Sequence, residues 1–231
     1  MIPAGLPRLL VVATVVLSVG CARLPARPTD PLSAEEHNDL GVAYYRHGEY
    51  ETASREFAKA LALHPGFALA LVNLGDTRLA QGALEAAIEA YEEAHAVEPE
   101  DPAIANNLAW ALLQHERRWP EAEPLIRGAL ARRPEPRGYY LDTLGLLLLR
   151  QGDPGQALDV FRAALADPAL QDVAPRGLVL RHAGDALGHL GATAAAERCY
   201  RLAGGLRGPA GGGPSTETPA AAEVGARDAV C

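Results

Sequence analysis

Between residues 34 and 203 the apolar positions recur with two nested periods. The short one is helical: Leu141, Leu144 and Leu148 stand at i, i+3 and i+7, one face of an α-helix. The long one is 34 residues: "LGVAYYRHGEYETASREFAKALALHP" (40–65) superposes on "LGDTRLAQGALEAAIEAYEEAHAVEP" (74–99) without a gap. Leu40-Gly41 matches Leu74-Gly75, Gly48 matches Gly82, Ala53 matches Ala87, Phe57 matches Tyr91, and Pro65 matches Pro99. A third copy runs from Leu108-Ala109 through Ala122, Ile126 and Ala129 to Pro134, with one extra residue near Trp119-Pro120. A fourth holds Leu144-Gly145, Gly152, Ala157, Phe161, Ala164 and Pro168. A fifth holds Ala183-Gly184, Gly191, Ala196, Tyr200 and Ala203 and lacks the closing proline.

Each recurrent position has a physical reason. The small residue after the leucine (Gly41, Gly75, Ala109, Gly145, Gly184) lets a second helix approach, and Ala53 or Ala87 twelve residues later supplies the matching small surface. Gly48, Gly82, Gly152 and Gly191 suit a turn between two helices, where a left-handed backbone is cheap only for glycine. Asp153-Pro154 is an N-cap acceptor followed by a first-turn proline, and Pro65, Pro99 and Pro134 close the second helix of a copy. The pattern predicts an all-α fold of about five helix-turn-helix repeats.

Taken in register, these positions resemble the tetratricopeptide repeat (TPR) family, and the resemblance covers residues 34–203. It implies a right-handed α-solenoid whose first helices line a concave groove. One helix pair cannot bury its apolar face alone, whereas three or more stacked pairs can.

The chain begins differently. Arg8 precedes "LLVVATVVLSVG" (9–20), twelve uncharged and mostly apolar residues. A span needs about 20 such residues, so the run is too short to cross a membrane and reads as a signal peptide, residues 1–20. Gly20-Cys21 resembles the lipobox of bacterial lipoproteins, which implies lipidation at Cys21. Ser18 stands where that family usually has leucine. Ordinary cleavage nearby and retention as a short anchor are the competing readings. Ala22 rather than aspartate after the cysteine leans, by the same resemblance, toward the outer membrane and the periplasm. Residues 21–33 hold the cysteine and a proline-rich stretch, "ARLPARPTDPL" (22–32), that reads as a tether. At the other end, residues 204–231 are rich in Gly, Pro and Ala without periodicity and read as a disordered tail.

Charge and candidate chemistry narrow the function. The net charge of −8 argues against nucleic acid as the main partner, because counterion release needs a basic face. Lys59 is the only lysine; so arginine-rich a balance reads as biased codon usage in preference to arginine chosen for bidentate contacts. The seven histidines form no H-E-x-x-H pair and sit beside no Cys pair at ligand spacing. There is no G-x-S-x-G, P-loop or Rossmann glycine string, so neither a metal nor a cofactor is expected and an enzyme is disfavoured. An exported compartment permits a Cys199–Cys231 disulfide, but Cys199 reads more simply as a buried small hydrophobe.

By the family resemblance, the sixth residue of each copy points into the groove: Asp39, Asn73, Asn107, Thr143 and His182. Two successive asparagines either hold the backbone of an extended peptide, since an amide both donates and accepts, or are solvated polar residues on a helix face. Tyr45, Asp76, Asn106, Trp110, Tyr139, Asp142 and Arg181 fall near the same surface, and Trp and Tyr are typical interface anchors. Lys or Arg at the carboxylate-clamp places of chaperone-binding arrays is absent. Tyr200 and Leu202, with no capping helix after them, suggest an exposed end that a partner or a second copy covers. The whole reads as a membrane-tethered scaffold for protein partners in the bacterial cell envelope, taking an extended peptide or a helix in its groove. In outline it resembles the lipoproteins of pilus assembly, polysaccharide export and cell-wall hydrolase regulation. The alternative is an envelope module that binds a peptidoglycan or polysaccharide ligand.

Overall fold

The computed structural model describes residues 31–171, 173–205 and 231. The expected signal peptide, Cys21, most of the tether and most of the tail lie outside the described residues. The chain divides into Met1–Leu32 and Ser33–Cys231, and the second unit is the array. Its described residues form ten α-helices and no strand: α1 (Ala34–Arg46), α2 (Tyr50–Leu63), α3 (Ala68–Ala80), α4 (Leu84–Val97), α5 (Pro102–Gln114), α6 (Ala122–Ala131), α7 (Gly138–Arg150), α8 (Pro154–Leu165), α9 (Val173–His189) and α10 (Thr193–Gly205). Consecutive helices pack as antiparallel-type pairs, and odd helices also touch each other, α1 on α3, α5 on α7 and α7 on α9. The expected solenoid of five repeats is therefore present.

Local chemistry sets the helix ends. Ser33 Oγ accepts from the Glu36 amide while Glu36 Oε2 accepts from the Ser33 amide, a complete capping box at α1. Asp101 accepts from the amides of Ala103 and Ile104 ahead of Pro102, and Asp153 accepts from the Gln156 amide ahead of Pro154. The turns after α1, α3, α7 and α9 place Gly48, Gly82, Gly152 and Gly191 at φ of +77°, +75°, +82° and +76°, as the turn reading requires. The third repeat has no such glycine. Its longer connection contains a 3-10 turn, Trp119–Glu121, where the extra residue falls.

Inside each repeat, a ring on the second helix lies on the glycine of the first. A Cβ at Gly41 would stand 2.6 Å from Phe57 Cε1, and one at Gly75 would stand 2.5 Å from Tyr91 Cε1. Gly145 meets Phe161 and Gly184 meets Tyr200 in the same way. In the third repeat Ala109 and Ile126 hold these positions, both fully buried in one cluster: the smaller side chain leaves room for the methyl group. Ala53, Ala87, Ala122 and Ala157 are all at 0% exposure.

Two expectations about the C-terminal end are corrected. α10 continues through Gly205, beyond the expected limit at 203, because Gly204 and Gly205 finish its last turn. Cys199 is buried, but it is bonded to Cys231 rather than acting as a lone hydrophobe. Arg198 Nε donates to the Cys231 backbone oxygen at 2.5 Å, which seats the last residue on α10. Tyr200 and Leu202 are 41% and 50% exposed.

Candidate partner-binding groove

The odd-numbered helices line two cavities that share Asp76. The larger, about 280 Å³, is walled by Asp76 and Leu79 of α3, Asn106, Asn107 and Trp110 of α5, Tyr139, Asp142 and Thr143 of α7, and Leu178 of α9. Tyr91 of α4 closes its floor. The smaller, about 200 Å³, is walled by Val42, Tyr45, Arg46, Phe57, Asn73 and Asp76. Of the twelve groove residues named from sequence, nine therefore meet in these two adjoining hollows. Asp39, Arg181 and His182 do not: the first two are exposed, and none of the three lines either cavity.

Two kinds of polar pair recur along the array, and Asp76, Tyr91, Asn73 and Asp142 carry them into the cavity linings. The first closes within a repeat. Tyr91 Oη donates to Asp76 Oδ1 at 2.5 Å, and fifteen residues likewise separate Tyr200 from Asp185, whose Oδ1 accepts from Tyr200 Oη at 2.8 Å. Where the ring is Phe57 or Phe161, the residue after the glycine is apolar, Val42 or Leu146. The hydroxyl thus brings its own acceptor, as a buried phenol requires. Burial raises the Asp76 carboxyl above its ordinary range, against the opposing pull of the Tyr91 hydrogen bond. Burial and then the nearby Asp76 charge push the Tyr91 phenol up.

The second kind of pair crosses from one repeat to the next, joining the fifth residue of a copy to the sixth residue of the following one. Asn73 Nδ2 donates to Asn38 Oδ1 at 2.8 Å. His182 Nδ1 stands 2.8 Å from Asp142 Oδ1. At the second boundary the partners are Val72 and Asn107, and no such bond forms. At the third they are Asn106 and Thr143: Thr143 Oγ1 donates instead to the Tyr139 carbonyl at 3.3 Å, and Asn106 Oδ1 is buried without a hydrogen-bond partner. So Asn73 and His182, read as groove-facing, spend a nitrogen on the neighbouring repeat, and His182 is outside the cavity lining.

Tyr45 remains open to the groove at 36% exposure, its ring centroid 5.6 Å from that of Tyr50. Burial, then the Asp76 charge, raises its phenol. Tyr139 is 40% exposed at the mouth of the larger cavity and Trp110 is half-buried in its wall. Sequence reasoning named Tyr91 only as the counterpart of Phe57 and missed its hydroxyl in the groove; the coincidence of Asp76 with Tyr91 and of Asp185 with Tyr200 is the signal that could have found it. A buried pair lies apart from the cavities: His37 Nδ1 stands 2.8 Å from Glu56 Oε2, and Lys59 Nζ donates to Glu56 Oε1 at 2.9 Å. Burial pushes the Glu56 carboxyl up, but the bonds from Lys59 and His37 outweigh it and leave it below the ordinary range. Among the described residues no group of three or more His, Cys, Asp or Glu stands together to hold a metal ion.

Comparison with known proteins returns the same architecture. Residues 38–96 and 78–143 match two tetratricopeptide repeat family models. The chain is 29% identical over 126 residues to protein FlbA of Caulobacter vibrioides, and the match spans 54% of this chain and about a fifth (21%) of that relative's length. The structure is similar to that of PilF of Pseudomonas aeruginosa, with a TM-score of 0.62 and 25% identity, covering 76% of this chain and 77% of the other. It shares its fold with PilW, a type IV pilus biogenesis factor, at a TM-score of 0.64 and 21% identity, covering 74% and 78%. With the ring-on-glycine contact returning at the same step in four copies, these matches make the chain a tetratricopeptide repeat protein.

Proposed function

We propose that this protein is a non-enzymatic scaffold of the bacterial cell envelope, anchored by a lipid on Cys21, that gathers protein partners along the groove of its odd-numbered helices. The observation that carries the reading is the groove itself. Two adjoining cavities with tyrosine and tryptophan at their walls offer anchors of the kind that dominate protein interfaces. Proteins of this family generally bind protein partners, and scaffolding rather than catalysis is their usual work. The likeness to PilF and the fold shared with PilW, a type IV pilus biogenesis factor, support a place among envelope assemblies. The leader 1–20, the cysteine and the prolines of 22–32 support export, lipid anchoring in the outer membrane facing the periplasm, and a tether that holds the array off the surface. Tyr200 and Leu202 offer a second contact, for another copy of the chain.

The test is crosslinking followed by pull-down from envelope fractions. Wild-type protein recovers one or a few discrete proteins, and a Trp110→Ala/Tyr139→Ala variant loses them. Acyl mass on Cys21 supports the anchor; wild-type protein in the soluble fraction without that mass removes it. A pull-down that captures no protein, together with a peptidoglycan fragment that raises Tm, would replace the scaffold with a glycan-binding module.

A further inference from the structure

The larger cavity has a distinct chemistry. Its lining contains two carboxylates, Asp76 and Asp142, and no Lys, Arg or His. Each carboxylate has one oxygen occupied, Asp76 Oδ1 by Tyr91 and Asp142 Oδ1 by His182. Among the described residues the second oxygen of each receives no protein donor. Asn106 Oδ1, on the same wall, is buried and also receives none. A buried acceptor left without a donor is unfavourable, so the wall is incomplete until one arrives. Trp110 and Tyr139 add two ring faces to the same hollow. The adjoining cavity differs, because its lining includes a cation, Arg46.

We infer that the larger cavity seats an arginine side chain of the partner. The inference rests on the groove reading above and names the chemistry that the groove selects. At about 280 Å³ the hollow is at the small end of ligand pockets, which run to about 1,000 Å³, and has room for one side chain. Guanidinium is a planar fork of five N–H donors that stacks on aromatic rings and accepts nothing, which matches separated acceptors between ring faces. Its charge offsets the two carboxylates, and its faces meet Trp110 or Tyr139 in cation–π contact. An acidic partner residue would instead meet two like charges.

The test uses the full chain and four capped pentapeptides, acetyl-Gly-Leu-X-Leu-Gly-amide, with X as arginine, citrulline, lysine or glutamate. The readout is the indole N–H resonance of Trp110, with Trp119, which lies in the turn before α6 and outside the cavity, as internal control. The arginine peptide shifts Trp110 saturably in the millimolar range. Citrulline, neutral and of nearly the same shape, binds at least tenfold more weakly, lysine binds weaker than arginine, and glutamate leaves the resonance in place. Asp142→Asn and Asn106→Leu each weaken the arginine peptide about tenfold. Asn106→Leu is compatible with the fold because Val72 holds the equivalent place one repeat earlier. Equal binding of citrulline, lysine or glutamate overturns the inference, as does the absence of any saturable shift. If the inference fails while the Trp110→Ala/Tyr139→Ala pull-down still loses its partner, the groove reading stands and only its charge selectivity falls.

Discussion

His182 reaches across the fourth repeat boundary to Asp142 in the same positional relation that Asn73 holds to Asn38 across the first. One boundary uses an ion-pair geometry and the other two amides, yet both join the fifth residue of one copy to the sixth of the next. Copying the first boundary onto the fourth therefore preserves the bond. We expect Asp142→Asn/His182→Asn to melt within a few degrees of wild type. His182→Ala, which leaves a buried carboxylate short of a donor, costs about 1–3 kcal/mol. Thermal and urea unfolding measure both. Equal losses in the single and double variants would show that the pair contributes nothing specific.

The third repeat supplies a natural control for the glycine contact. Gly145→Ala drives a methyl group into Phe161, an overpacking cost of about 1–3 kcal/mol. Adding Phe161→Ile reproduces the Ala109–Ile126 arrangement and should recover part of the loss despite removing aromatic area. Urea midpoints of the three proteins decide it. A double variant no better than the sum of the two single changes would break the proposed coupling.

Asp76 couples stability to pH in an unusual direction for an acid. Burial raises its pKa in the folded protein above the ordinary 3.8, so its ionised form is less favourable folded than unfolded. Its contribution to stability is complete below pH 3.8 and is lost as pH rises through the raised value. Asp76→Asn keeps an acceptor for Tyr91 and no longer ionises. Its Tm at pH 7 should equal or exceed that of wild type, and the difference should close as pH falls toward 4. The same variant should weaken the arginine peptide, so stability and binding move in opposite senses.

Glu56 behaves in the opposite way. Its carboxyl lies below the ordinary range, so its contribution is present above the unfolded pKa, 4.5, and is lost as pH falls through the lower folded value. Glu56→Ala removes the acceptor that His37 and Lys59 share and should destabilise by about 1–3 kcal/mol at pH 7. The deficit should shrink in acid, where wild-type Glu56 is itself protonated. A deficit that does not change with pH would assign the effect to packing alone.

The disulfide is directly testable. A non-reducing digest should contain a peptide that joins the Cys199 and Cys231 fragments and vanishes on reduction. Closing the intervening loop stabilises by up to about 2–4 kcal/mol through the unfolded chain, so Cys231→Ser should lower Tm only when wild type is oxidised. Two free thiols by mass in protein prepared from an oxidising compartment would remove the bond.

Features that close inside one 34-residue period were readable from the chain, because the period aligns them without any knowledge of the superhelix. The close helix approach at Gly41, the left-handed Gly48 and the buried Ala53 belong to this class, although the reading set Ala53 against Gly41 and the structure sets the Phe57 ring there. Contacts between copies were not. Whether Asn73 faces a peptide or Asn38 depends on how neighbouring helices are rotated, which no residue in either copy encodes alone. Asp39 and Arg181 failed to join the cavities for the same reason: occupying a groove-facing position places a residue near the surface, and the neighbouring helices decide what it lines. Cys231 was hidden in another way, since it follows a stretch with no periodicity to carry a register.

The ring-on-glycine contact joins residues sixteen apart, well inside the repeat length. Cutting the gene between two copies and inserting one extra in-frame unit of 34 codons therefore leaves every existing lock intact and adds one more. Recombination can lengthen or shorten such a molecule without first inventing an interface, and the groove grows by one rung with each event.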